Sequence, residues 1–102
     1  MDIKELALRT VDAMQVYGLT PYSAWNEYTR SYTPIIKMHE KQGQKDFDRE
    51  IITEYVRQAE GRFERGEISI GHYRSLKRAA QRLTEVYTFS PASSYAIHAG
   101  RV

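Results

Sequence analysis

An all-α fold, a compact four-helix bundle with a loose C-terminal tail, is predicted by three observations. Apolar residues recur at steps of three and four over four separate stretches, the period of a helix with one buried face. Three helix entries share one pattern, an apolar residue followed by a capping residue: Leu19-Thr20 with Pro21 at the first helical position, Phe47-Asp48, and Ile68-Ser69. No internal repeat and no strand-like alternation of useful length occurs in the 102 residues.

The first helix is expected over Asp2 to Tyr17, with Asp2 as cap, Gly18 as the left-handed terminator, and Ile3, Leu6, Ala7, Thr10, Met14 and Tyr17 on one side. Leu8 and Val16 fall off that stripe and are candidates for contact outside the domain. The second helix starts near Pro21 and is expected to send Trp25, Tyr28, Tyr32, Ile35, Ile36 and His39 to the core, ending before Gly43. Pro34 removes an N–H and crowds the carbonyl of Arg30, so a kink or break is expected at Thr33-Pro34, with Thr33 capping the continuation. The third helix, Asp48 to Arg65, buries Ile51, Ile52, Tyr55, Val56, Ala59 and Phe63 and ends at Gly66; Gly61 inside it either permits close packing or weakens it. Phe47 is expected to staple onto Ile52, and Ile68 onto Tyr73.

The last helix, Ser69 to Tyr87, carries two opposed stripes. Tyr73, Leu76, Ala80, Leu83 and Tyr87 form the apolar one; Arg74, Arg78 and Arg82, with Lys77 beside them, form a basic one, against the single acid Glu85. Beyond it, residues 88–102 are rich in Ser, Ala, Gly and Pro without a period and read as a flexible tail to a 1–87 helical domain.

Charge is segregated along the chain although the net is only +2. The third helix and its flanks, Asp46 to Glu67, hold four arginines against seven acids, whereas Ile68 onward holds five cations against Glu85. The stretch from Gly18 to Lys45, with Arg30, Lys37 and Lys41 on an outer face, is also net positive. A two-sided molecule of this kind suits a polyanion. The chain has no Cys, which excludes disulfides and thiolate metal sites. No apolar run approaches a membrane span and no signal segment opens the chain, so a cytoplasmic protein without a membrane role is expected.

Chemistry of its own is not legible. His39, His72 and His98 stand far apart without metal-ligand spacing, and His39 reads as a satisfied, half-buried core histidine. No phosphate-binding glycine loop occurs, and Ser69 reads as a cap with no base to activate it. Five tyrosines (Tyr17, Tyr28, Tyr32, Tyr55, Tyr73) lie on apolar stripes and read as core. No catalytic residue, metal or cofactor is expected.

The sequence resembles the N-terminal core-binding domain of tyrosine recombinases, the phage integrase family. The residues that carry the resemblance are T-P-Y-S-A-W-N-E-Y-T-R-S-Y from Thr20 to Tyr32, H-E-K-Q-G from His39 to Gly43, and E-Y-V from Glu54 to Val56. They continue with R-F-E-R-G-E-I-S from Arg62 to Ser69 and Y-R-S-L-K-R-A-A-Q-R-L from Tyr73 to Leu83. The resemblance implies a SAM-like bundle of four helices that grips one side of a DNA crossover site through its second and fourth helices. It also implies a separate catalytic domain, which carries the nucleophilic tyrosine and is not represented in this sequence, and neighbouring protomers as further partners. No tyrosine here, Tyr95 included, inherits the nucleophile's role.

The expected function is therefore binding of double-stranded DNA in a context of recombination and integration. Arg74, Lys77, Arg78 and Arg82 would neutralise phosphates, one of them reaching a guanine edge, with Ser75 and Gln81 hydrogen-bonding backbone or bases. His72 and the first-turn N–H groups after Ser69 would meet a phosphate. Arg30, Lys37 and Lys41 would form a second line, with Ser23 and Asn26 as polar contacts. The competing expectation is a helical protein-interaction module, favoured by Leu8 and Val16.

Overall fold

Four side-chain caps set the helix starts. Asp2 accepts from the N–H groups of Lys4 (2.7 Å) and Glu5 (3.2 Å), Thr20 from Ser23 (3.1 Å), Asp48 from Glu50 (2.8 Å) and Ser69 from His72 (3.1 Å). The structure, a computed structural model, describes residues 1–89, and in it these caps open four helical rods. They are α1 (Ile3–Val16); a second rod made of α2 (Pro21–Glu27), a π-helical turn (Tyr28–Tyr32) and α3 (Thr33–Lys41); α4 (Arg49–Glu64); and α5 (Ile70–Phe89). Gly18, Gly43 and Gly66 follow the first three rods with φ of 104°, 66° and 75°, the left-handed conformation that ends a helix at least cost when the residue is glycine. Among the described residues there is no strand, only an isolated bridge between Asp2 and Asp46. That bridge comes from Ile3 N–H donating to Lys45 O (3.0 Å) and Phe47 N–H donating to Met1 O (2.9 Å), which fastens the chain start to the α3–α4 loop.

Helix α5 continues two residues past the expected end, taking Thr88 and Phe89 out of the tail. Thr88 Oγ1 donates to Thr84 O (2.9 Å) and receives a hydrogen bond from Arg49 (3.4 Å). The remainder of the expected tail, 90–102, lies outside the described residues.

The second rod does not break at Pro34. Pro34 cannot donate to Arg30 O, and its ring would crowd that carbonyl in an α turn. The preceding turn widens instead: Thr33 donates to Tyr28 O, five residues back, from its backbone N–H and again from Oγ1 (3.3 Å). Thr33 is thus inside a continuous right-handed rod and caps nothing. The wide turn takes in about one extra residue, which shifts the phase of everything before it. Ala24, 2 % exposed, occupies the core position expected of Trp25, and Trp25 is 63 % exposed. Tyr17 is also corrected: it is the C-cap of α1 and is 90 % exposed, because the stripe ends where the helix does.

The core gathers Leu6, Thr10, Tyr32, Ile35, His39 and Leu83, all fully buried, where α1, the second rod and α5 meet. Phe47 enters the same core cluster as Ile52, its expected staple partner, and stacks on Tyr87 of α5 with ring centroids 4.3 Å apart. Phe63 of α4 stacks on Tyr73 of α5 at 5.6 Å. Leu8 and Val16 are exposed, as their off-stripe positions predict.

His39 is a joint between two rods. Its Nε2 accepts the Asp48 N–H (3.2 Å), which leaves the ring proton on Nδ1, where it donates to Ile35 O (2.8 Å). The buried ring thereby fixes the last turn of α3 to the residue that caps α4. Replacing His39 with alanine removes both bonds and opens a cavity, and a loss of about 2–3 kcal/mol is expected in urea unfolding. A loss below about 0.5 kcal/mol would contradict the joint.

Gly61 serves no close packing. A Cβ there would meet only the Arg65 guanidinium, Nη1 at 3.1 Å and Cζ at 4.0 Å, the far end of an exposed side chain that can swing away. Gly61→Ala is expected to stabilise the protein by about 0.5–1 kcal/mol, read as a higher urea midpoint at unchanged slope.

Candidate nucleic-acid interface

Helix α5 is anchored by Leu76, Ala79, Ala80 and Leu83, all buried, and by the stacked Tyr73 at its start. These anchors turn Arg74, Ser75, Lys77, Arg78 and Gln81 to solvent, while Arg82 is half-buried. The four cations do not form one narrow stripe; they spread around α5 and look in different directions.

Toward the second rod, His72 and Ser75 line a groove of about 260 Å³ with Ser23, Asn26 and Arg30. Five of the residues singled out in the sequence are therefore brought together, by the packing of α5 on the π turn. Leu19, Glu27, Ser31 and Leu76 complete the groove; Glu27 is its only acid. Toward α4, Lys77 and Gln81 line a larger groove of about 730 Å³ with Thr53, Arg57, Glu60 and Glu85, where signs are mixed. Toward α1, Arg82 lines a crevice of about 550 Å³ with Thr10, Met14, Tyr17 and Val86. Arg74 and Arg78 are exposed and line none of these three grooves. Lys37 and Lys41 are exposed on α3, which packs on α4 and α1, so the second line of cations is split, with only Arg30 beside α5.

The ion pairs decide where positive charge is left over. Among the described residues they are Lys4–Glu40 (3.5 Å), Arg9–Glu5 (3.0 Å), Arg57–Glu54 and Arg65–Glu67. All four use cations of α1, of α4 or of the C-cap of α4. None uses Arg74, Lys77, Arg78 or Arg82, nor Arg30, Lys37 or Lys41. Helix α5 thus carries four cations outside any ion pair against the single acid Glu85, a net positive helix.

At the N-terminus of α5 the expectation narrows. The His72 N–H is taken by Ser69 Oγ (3.1 Å), so the cap already serves one of the first-turn groups assigned to a phosphate. The exposed His72 ring remains available at the groove.

Two core phenols lie behind this surface. Tyr32 donates its hydroxyl to Ala79 O (3.2 Å), crossing from the π turn to α5, and burial raises its pKa well above the ordinary tyrosine range. Burial likewise pushes Tyr55 up to about 12. Among the described residues no cluster of His, Cys, Asp or Glu could hold a metal ion, and no helix is long and apolar enough to cross a membrane.

Sequence reasoning missed Leu19, Glu27 and Ser31 as groove residues and Trp25 as a surface residue. The available signal was Pro34: a proline within a continuous apolar period can be absorbed by a wide turn as well as by a break. No family model matches the chain, and neither a curated protein nor a solved structure does.

Proposed function

We propose that this chain is a DNA-binding module of the kind that tyrosine recombinases carry as their core-binding domain, acting in DNA integration and recombination. The observation that carries the reading is the distribution of ion pairs. Both cations of α1 and one of the three on α4, Arg57, pair with neighbouring acids, and Arg49 and Arg62 share α4 with four acids, whereas the four cations of α5 are left without ion-pair partners on a core-anchored helix that holds one acid. An array of this kind neutralises phosphates without a cost for breaking internal pairs. The groove that joins Ser23, Asn26 and Arg30 to His72 and Ser75 supports a contact shared between the second rod and α5, the two elements the family resemblance assigns to DNA. Arg74 and Arg78 take the outer phosphates, and Arg30, Ser75 and Asn26 follow the strand into the groove. Catalytic chemistry belongs, in this reading, to a partner domain. Tyr32 and Tyr55 are core phenols, and neither takes the nucleophile's role.

The test is a fluorescence-anisotropy titration of labelled duplex at two salt concentrations. Wild type is compared with Arg74→Glu, Arg78→Glu, the double variant, and Arg9→Glu on α1 as a control for net charge. Arg82 is avoided because it is half-buried and its charge acts on Tyr32. Neutralisation of about four to six phosphates predicts a slope of log K against log[salt] of roughly −4 to −5. Affinity in the micromolar range is expected for the module alone, with at least a tenfold loss in the double variant. Equal affinity in all five proteins, or no binding in any, overturns the reading.

A second reading, docking of another protein on α1, is favoured by one observation: Leu8 and Val16 are 53 % and 82 % exposed on the same helix. Chemical-shift mapping separates the two, since added DNA moves resonances of the second rod and α5 in the first reading and leaves them unmoved in the second.

A further inference from the structure

Helix α2 presents two aromatic rings to solvent, Tyr22 at 73 % and Trp25 at 63 % exposure. Neither ring stacks on another or makes a side-chain hydrogen bond within the described chain. They stand three residues apart, and Tyr22 stands four from Asn26, so the three side chains are neighbours on one helical surface. Asn26 of α2 and Arg30 of the π turn in turn stand on the second-rod wall of the groove that faces His72 and Ser75. An aromatic pair therefore borders a polar groove that holds an unpaired guanidinium, next to a helix with four unpaired cations.

We propose that Tyr22 and Trp25 form a stacking platform for the unpaired bases of a DNA strand whose phosphates are held by Arg30 and His72. This rests on the DNA-binding reading and deepens it by naming the form of DNA that the α2 side takes. The bases of a duplex have their faces covered by their neighbours, so an exposed aromatic pair gains little from intact double helix. Unpaired bases offer those faces, and aromatic rings beside a cationic track are how proteins hold single strands with little regard to sequence. Arg74 and Arg78 on the α5 ridge remain suited to the phosphates of an adjoining duplex, which makes the whole surface fit a junction between paired and unpaired DNA.

The flanking chemistry distinguishes this from a protein-docking face. Beside Tyr22 and Trp25 the second rod presents Pro21 and the polar Ser23, Asn26, Thr29 and Arg30, and the exposed aliphatic residues lie on other helices, Leu8 and Val16 on α1 and Ile70 on α5. Glu27, the one acid in the groove, is half-buried and its charge acts on the core phenols Tyr32 and Tyr55, which places it on the inner side.

Trp25 is the only tryptophan, so its fluorescence reports directly on the platform. Wild-type protein is titrated with an oligothymidylate of about 16 nucleotides and with a blunt duplex of equal length, following both Trp25 emission and the anisotropy of labelled DNA. The single strand is expected to quench Trp25 and the duplex to leave it unquenched at saturation. Trp25→Ala and Tyr22→Ala, both at exposed positions, are each expected to weaken single-strand binding roughly 5- to 150-fold and to leave duplex affinity unchanged, with Trp25→Phe restoring most of the single-strand affinity. The platform is overturned if the duplex binds while Trp25 stays unquenched by the single strand and both alanine variants bind it as wild type does; the DNA reading then stands. It is also overturned if wild type sediments as a dimer that Trp25→Ala dissociates without changing DNA affinity, which would make the face a self-contact. Absence of binding to either DNA overturns both readings together.

Discussion

Replacing Tyr32 with alanine is expected to lower stability by about 3–5 kcal/mol, a large part of the total for a domain of this size. Tyr32 is fully buried in the π turn, and that turn packs against both α1 and α5. Truncation removes the largest side chain at the centre of the core, and the surrounding helices, each pinned by its own caps, can close only part of the space. The hydroxyl contributes separately. It donates to Ala79 O at 3.2 Å, the cross-link between the second rod and the helix that carries the unpaired cations. Tyr32→Phe keeps the ring and loses this bond, at about 1 kcal/mol. Urea unfolding followed by circular dichroism measures both. Equal losses for Ala and Phe would contradict the packing role, and a Phe variant as stable as wild type would contradict the hydroxyl's.

The parts of the fold that were legible are those set by residues adjacent in sequence. Asp2, Thr20, Asp48 and Ser69 cap because a short oxygen-bearing side chain just before an apolar period meets the first free N–H groups whatever lies around it. Gly18, Gly43 and Gly66 terminate for an equally local reason. What failed was the assumption of a constant period. Between Trp25 and Tyr32 the count of 3.6 residues per turn places both on one side, and the π turn removes that relation. The error has a functional side, because the same turn that sends Trp25 outward brings Arg30 into the groove with His72 and Ser75. The pairing of the chain start with the α3–α4 loop was not legible at all; nothing local in Met1 to Ile3 signals a partner more than forty residues away.

The candidate site was legible in composition and less so in geometry. A run of Arg74, Lys77, Arg78 and Arg82 against one acid guarantees a positive helix in any fold that buries Leu76 and Leu83. How those cations divide among the three neighbours of α5 depends on helix packing, which the periodicity of one helix does not contain. Lys77 meets the mixed charges of α4, and Arg82 folds toward α1. The ridge cations Arg74 and Arg78 are left as the pair most open to a ligand.

Alkaline pH should unfold this protein by a route that the two core phenols define. Burial raises Tyr55 from 10.0 to about 12 and raises Tyr32 further, with the nearby Glu27 acting in the same direction on both. Below pH 10 neither the folded nor the unfolded chain loses these protons, and the stabilisation is fully present. Between about pH 10 and pH 12 the unfolded chain releases protons that the folded chain keeps. Stability then falls by up to about 1.4 kcal/mol per pH unit for each phenol. For Tyr55 the loss by pH 12 is on the order of 2 kcal/mol, and Tyr32 adds to it with the same sign. Spectrophotometric titration should therefore show a late ionisation, that of Tyr32 and Tyr55, which coincides with the loss of helical circular dichroism. Tyr32→Phe and Tyr55→Phe should each make the melting temperature less sensitive to pH over this window, a readout that a uniform loss of packing would not move. If Tyr32 and Tyr55 ionise near pH 10 while the helices stay intact, the two rings do not occupy the protected positions that join the second rod to α5 and α4.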